Sequence, residues 1–196
     1  MKRLIIGISG SSGVIYGIRL LQVLRQQEDV ETHLVMSASG KMNIPIETSY
    51  SSKEVEGFAD VVHNINNIAA NISSGSFRTH GMIVAPCSMK TLSSIVHSYA
   101  DNLLARAADV VLKEGRRLVL MPRESPLHVG HCKLLYEAAK MGIQIAPPMP
   151  AFYNHPDTVD DIVNHSIGRV LDLFDLDPGI VKRWAGVHGN KESKTD

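Results

Sequence analysis

At 196 residues, with 44% hydrophobic and 20% charged side chains, the chain has the make-up of one globular domain with a full core. Lysine plus arginine equals aspartate plus glutamate, and aromatic residues are only 5%, so neither a nucleic-acid or other polyanion partner nor a base-stacking surface is indicated. Two cysteines, Cys87 and Cys132, are too few for a disulfide framework and fit a reduced, cytoplasmic setting. The apolar run behind Lys2 and Arg3 is too short for a signal peptide, and no later stretch could span a bilayer. A net charge near zero favours an oligomer.

Arg3 to Ile8 reads as a buried strand that empties into Ser9-Gly10-Ser11-Ser12-Gly13, after which Val14 onward takes on helical periodicity. Strand, Gly/Ser turn and helix form an anion site in open parallel sheets, because small residues let the backbone approach a ligand and the helix start offers unpaired N–H groups. The turn is not G-x-G-x-x-G and no Gly-Lys-Ser/Thr follows, so neither the dinucleotide fingerprint nor the Walker A loop is matched. A tight turn that binds nothing is the competing reading.

Val30 to Met36 is a second strand, followed by a small-residue turn, Ser37 to Gly40, and a short helix over 41–50, bent or ended near Pro45, that carries Glu47. Residues 51–80 read as loops and short turns. Gly81 to Ala85 is a third strand ending at Pro86-Cys87-Ser88, and Met89 to His97 a helix. Asp101 is placed to cap the next helix, Asn102 to Glu114. Arg117 to Met121 is a fourth strand, Leu127 to Lys140 a helix and Ile143 to Ala146 a fifth strand. A last helix starts at Asp157 or Thr158 and runs to about Asp175, and the tail from His188 is expected to be disordered. The alternation predicts an α/β three-layer sandwich with a mainly parallel sheet, flavodoxin-like or Rossmann-like, in one domain over 1–187. Ligands in such folds sit beyond the carboxyl ends of the strands, where Gly10–Gly13, Ser37, Pro86–Thr91, Arg123–Glu124 and the 147–153 loop all fall.

Ser88, Lys90 and Thr91 could seat a phosphate, or Ser88 could be an ordinary helix cap. No base is placed for Cys87, which reads as a buried structural thiol. Arg106 and Lys113 are seven residues apart and share a helix face. Asp109 lies between them, so on the residues alone a solvated salt-bridge ladder is favoured. Arg123-Glu124, fixed between prolines at a strand end, is placed for catalysis or for a loop ion pair. Glu47, Tyr153 and Arg169 are ordinary taken singly. The nine histidines show no metal spacing: His128 and His131 lack a third ligand, and no metal is expected.

In combination these motifs resemble the flavin prenyltransferases of the UbiX/Pad family. They are Gly10-Ser11-Ser12-Gly13 with Tyr16-Gly17, Glu47-Thr48, Pro86-Cys87-Ser88-Met89-Lys90-Thr91-Leu92, Asn102-Leu103 with Arg106 to Val110 and Lys113-Glu114, Pro122 to Pro126, Phe152-Tyr153 and Arg183-Trp184. In the family the first turn is usually Gly-Ala-Ser-Gly; here Ser11 replaces the alanine and adds a hydroxyl. The resemblance implies a metal-independent enzyme that joins a dimethylallyl group from dimethylallyl monophosphate to reduced FMN, at N5 and C6. The product, prenylated FMN, passes to a UbiD-type decarboxylase in ubiquinone synthesis or aromatic-acid decarboxylation.

It also implies that Gly10, Ser11, Ser12, Ser37, Ser88, Met89, Lys90, Thr91 and Arg123 bind FMN. Arg106, Lys113, Arg123, Glu124, Tyr153, Arg169 and Trp184 would hold or protonate the prenyl phosphate, with Ser12 and Glu47 near N5. Arg106 and Lys113 thereby gain a role beyond the ladder. Family members form trimer-based dodecamers, so the C-terminal third is expected to lend Tyr153 and Arg169 to a neighbour's flavin, with the apolar face of its helix burying Arg169 against protein. Two alternatives are an FMN-dependent cysteine decarboxylase relative and a flavin-binding module without chemistry. The first relies on a histidine where this chain has Ile46-Glu47-Thr48, and the second has no need of a second phosphate site.

Overall fold

The structure is a computed structural model that describes residues 1–184 and 186; the tail from His188 lies outside the described residues. Two units are distinguished, Met1–Pro148 and a second beginning at Met149.

The first unit is built on strands β1 (Lys2–Ile8), β2 (Val30–Met36), β3 (Val61–His63), β4 (Gly81–Cys87), β5 (Arg117–Pro122) and β6 (Gln144–Ile145). They form one sheet in the order β3-β2-β1-β4-β5-β6, and every pairing is parallel. This is the doubly wound order of Rossmann folds, with its reversal between β1 and β4. Leu4, Ile5, Ile6 and Ile8 are at most 1% exposed. Helices cover both faces of a parallel sheet, so its strands read as unbroken apolar runs, not alternating ones. The crossovers carry α1 (Val14–Leu24), α2 (Ala38–Glu47), α3 (Ser52–Glu56), α4 (Met89–Val96), α5 (Leu103–Lys113) and α6 (Val129–Lys140).

Several expected boundaries move. The small residues after β2 are not a turn: they are the first turn of α2, because Ser37 Oγ caps the helix by accepting from Gly40 N at 3.0 Å. Pro45 does not end α2. The carbonyl of Lys41, which its missing N–H would have served, accepts instead from Ser52 Oγ at 3.1 Å. Within 51–80 the loop reading misses a capped helix and a sheet strand. Ser51 and Glu54 form a capping box at α3. Asp60 accepts from both the backbone N–H and the hydroxyl of Thr32, at 2.7 and 2.8 Å, and so brings β3 onto the edge of β2. A three-residue strand is too short for periodicity to show. Asn102, not Asp101, caps α5, accepting from Ala105 N at 3.0 Å. His128 caps α6, which therefore starts at Val129.

In the second unit α7 (Val159–Asp172) starts behind a capping box of Thr158 and Asp161. Val163, Ile167, Val170, Leu171 and Phe174 are buried.

Candidate active site

Four segments meet at the carboxyl edge of the sheet, tied by backbone. Ser9, fully buried, donates its hydroxyl to Pro86 O at 2.9 Å and accepts from Ser88 N at 2.8 Å, clamping the ends of β1 and β4 at the topological reversal. Ser37 N donates to Ile8 O at 2.9 Å and Arg123 N to Cys87 O at 3.2 Å. The Gly10–Gly13 turn, Ser37, Ser88–Thr91 and Arg123–Glu124 are thus brought to one edge. Sequence reasoning misses Ser9, whose only signal there is its place between the apolar run of β1 and the Gly/Ser turn.

The turn itself needs its glycines. A Cβ on Gly10 would overlap that of Ser39, so the turn lies directly on the first turn of α2. Gly13 has φ 102°, a left-handed conformation that disfavours any side chain. The start of α1, expected to seat an external anion, already holds one. Glu47 Oε2 accepts from Gly13 N at 2.7 Å and Val14 N at 3.2 Å. The carboxylate of α2 takes the donors that a phosphate would need.

Another helix start at this edge is that of α4. Ser88 Oγ accepts from Thr91 N at 3.2 Å and donates to Thr91 Oγ1 at 3.1 Å. The N–H groups of Met89 and Lys90 belong to the first turn, which has no acceptor within its own helix. Ser11 is 8% exposed and its hydroxyl, buried, has no partner, whereas Ser12 is exposed. A buried hydroxyl left unpaired is costly and is expected where a ligand completes the bonding. An orphan hydroxyl, a small-residue turn and a helix start with free first-turn N–H groups fit a nucleotide phosphate. Replacing Ser88 by alanine is expected to weaken FMN binding about five-fold, since the cap is worth about 1 kcal/mol; a fluorescence titration with FMN checks this.

Cys87 does not join this chemistry. It is fully buried at the end of β4, and burial pushes its thiol up to about 12, leaving no thiolate for nucleophilic attack.

Lys113 does not reach this edge. Arg106 is paired with Asp109 at 2.7 Å, as in the ladder reading, and its Nε donates to Ser73 O at 3.3 Å. Lys113 leaves the ladder for Glu114, at 2.6 Å, and holds the Glu114 carboxyl below its usual range. Lys113 ends α5 just before β5, and the adjoining Arg116 donates to the carbonyls of Gly75 and Phe77, ahead of β4. It therefore lies at the amino edge of the sheet, the far end from Gly10–Gly13. Helical spacing gave the face of these cations but not their height; the four residues from Lys113 to β5 were the available signal. At the carboxyl edge, Glu124 is exposed and accepts from Ser125 N at 3.1 Å.

The second unit brings three expected residues together. Tyr153, Arg169 and Trp184 line one pocket with Val181 and Arg183. Tyr153 and Trp184 pack edge to face, with centroids 5.8 Å apart. Arg169 is not buried by its helix. Its side chain is 56% exposed and pairs with Asp172, which Arg183 also grips at 2.8 Å. Arg183, above all, holds the Asp172 carboxyl below its ordinary value. The sequence reading gave Arg183 no role of its own, although it stands beside Trp184.

Among the described residues no three His, Cys, Asp or Glu side chains are grouped to hold a metal ion, and no helix is long and apolar enough to cross a membrane.

A Rossmann-ordered parallel sheet with small-residue, hydroxyl-bearing segments gathered at its carboxyl edge is the arrangement of the nucleotide-binding α/β class. The flavoprotein family model matches residues 1–171. The chain is 58% identical over 188 residues to the flavin prenyltransferase UbiX of Escherichia coli (strain K12), covering 95% of this chain and 100% of that one. It superposes with TM-score 0.92 on a dodecameric FMN-dependent UbiX-like decarboxylase from Escherichia coli O157:H7, at 56% identity over 94% of this chain and 100% of the other. It matches AnUbiX (PadA1), solved with FMN and dimethylallyl pyrophosphate, with TM-score 0.92 and 49% identity over 94% and 98% of the two chains. The chain belongs to the flavoprotein family, among its UbiX-type flavin prenyltransferases.

Proposed function

We propose that this chain transfers a dimethylallyl group from dimethylallyl monophosphate to reduced FMN, giving prenylated FMN for a UbiD-type decarboxylase. Reduced flavin supplies the two nucleophilic atoms, N5 and C6. What supports the reading is that, besides the free N–H groups at the start of α4, the second unit carries Arg169 and Arg183 in one pocket with Tyr153 and Trp184, a set that FMN alone does not require. The start of α4, with Ser88, Met89, Lys90 and Thr91, would hold the flavin phosphate, and Gly10, Ser11, Ser12, Ser37 and Arg123 would line its remaining polar edge.

Breaking the allylic C–O bond leaves the electron pair on phosphate, so the leaving group must be met by fixed positive charge and donors. Arg106, Lys113, Arg169 and the phenol of Tyr153 supply these, and Glu124 delivers or takes the proton. Arginine suits the task because its fork of N–H groups matches phosphate oxygens. Trp184 gives the dimethylallyl chain an apolar wall. Glu47, fixed by the N–H groups of Gly13 and Val14, would sit with Ser12 beside N5.

Lys113 stands at the amino edge, so one protomer does not assemble the set; we propose a homo-oligomer, a trimer-based dodecamer, in which cations reach a neighbour's flavin. Residues 1–187 act as one functional domain in the cytoplasm. The test is transfer of the product. Enzyme incubated with reduced FMN and dimethylallyl monophosphate should switch on a UbiD-type apo-decarboxylase, with or without a chelator. Omission of the prenyl donor should leave it inactive, and activation without the donor would overturn the reading.

A further inference from the structure

His165 is a buried polar residue outside every motif considered so far. It lies on α7, 7% exposed, one turn before Arg169. Its Nε2 is 3.2 Å from the Tyr153 hydroxyl and its Nδ1 is 3.3 Å from Asn154 Nδ2. The rings of His165 and Tyr153 meet edge to face, 5.6 Å between centroids at 81°. We infer that His165 is a positioning residue: held by Asn154 as the Nε2–H tautomer, it donates to the Tyr153 oxygen and leaves the Tyr153 O–H to donate to the prenyl phosphate.

The Asn154 amide turns its NH2 toward the ring, which makes His165 Nδ1 the acceptor, and its buried Oδ1 is left without a partner in this orientation. A neutral imidazole that accepts at Nδ1 carries its proton at Nε2, and that proton points to the Tyr153 oxygen. The phenol then accepts from the imidazole, and its own proton is left for a ligand in the pocket lined by Arg169, Arg183 and Trp184. Burial, with the positive charge of Arg169 adding to it and Asp172 opposing it, favours the neutral ring. Without His165 the phenol could turn its proton to solvent or to another acceptor. The role of Tyr153 as a phosphate donor rests on the function proposed above.

The test has two arms on the full-length enzyme. With 15N-labelled histidine, and the His165 signals assigned by their loss in His165→Gln, Nε2 should appear protonated and Nδ1 unprotonated at neutral pH. The reverse pattern, or an imidazolium, would overturn the inference. In kinetics, His165→Gln sets an amide N–H at the place of Nε2 and should keep KM for dimethylallyl monophosphate within a few-fold. His165→Glu can only accept, and His165→Leu does neither; each should raise that KM about ten-fold with FMN affinity unchanged. Tyr153→Phe should then add little in the His165→Leu background. Equal behaviour of the Gln and Glu variants would contradict the inference. If the unaltered enzyme turned over no prenyl phosphate, the functional reading would fail, and the nitrogen signals alone would decide the tautomer.

Discussion

Replacing Arg106 by alanine is expected to lower prenyl-transfer turnover about 100- to 1,000-fold while FMN binding stays as it was. The arginine is half-exposed, so its pair with Asp109 contributes little to stability, and the variant should fold. Its guanidinium is already oriented on two sides, by Asp109 and by the carbonyl of Ser73. Such preorganisation matters most where charge develops on a leaving phosphate. Asp109→Asn separates the two readings of this helix. It removes the partner but keeps the cation, and should cost far less than Arg106→Ala. Steady-state kinetics with an FMN titration on each variant checks this; turnover within a few-fold in Arg106→Ala would return the pair to a surface ladder.

The second large effect is a recovery. Glu47→Ala and Lys113→Ala are each expected to be inactive alone. Glu47 anchors the turn at the carboxyl edge through two backbone N–H groups, whereas Lys113 ends α5 at the amino edge of the same sheet. β5 is six residues long, so the two edges of one protomer are about 20 Å apart, too far for one bond-breaking event. If a neighbour's α5 supplies the cation, co-assembled variants must contain some sites with both groups intact. Co-expression with two affinity tags, followed by assay of the doubly purified mixed oligomer, should restore a measurable fraction of activity. Mixed oligomers as inactive as the parents would mean that each protomer builds its own site.

Much of this was legible in the chain. The apolar runs of β1, β2, β4 and β5 and the Gly/Ser turn after β1 are local features, and local physics determines them. Strand order was not: nothing in Val61–His63 shows it as an edge strand, because its pairing depends on the carboxylate of Asp60 reaching Thr32. Glu47 was found as a candidate, but not its grip on Gly13 and Val14, a contact across more than thirty residues that spacing cannot show. For the same reason the clamp made by Ser9 and the tautomer held at His165 emerge only when strand and helix ends are placed in space.

The most direct measurement is the mass and absorption of the flavin after anaerobic incubation of the enzyme with reduced FMN and dimethylallyl monophosphate. The account predicts a flavin heavier than FMN by one dimethylallyl unit and one equivalent of phosphate released. Recovery of unchanged FMN, with phosphate still attached to the prenyl donor, would contradict it.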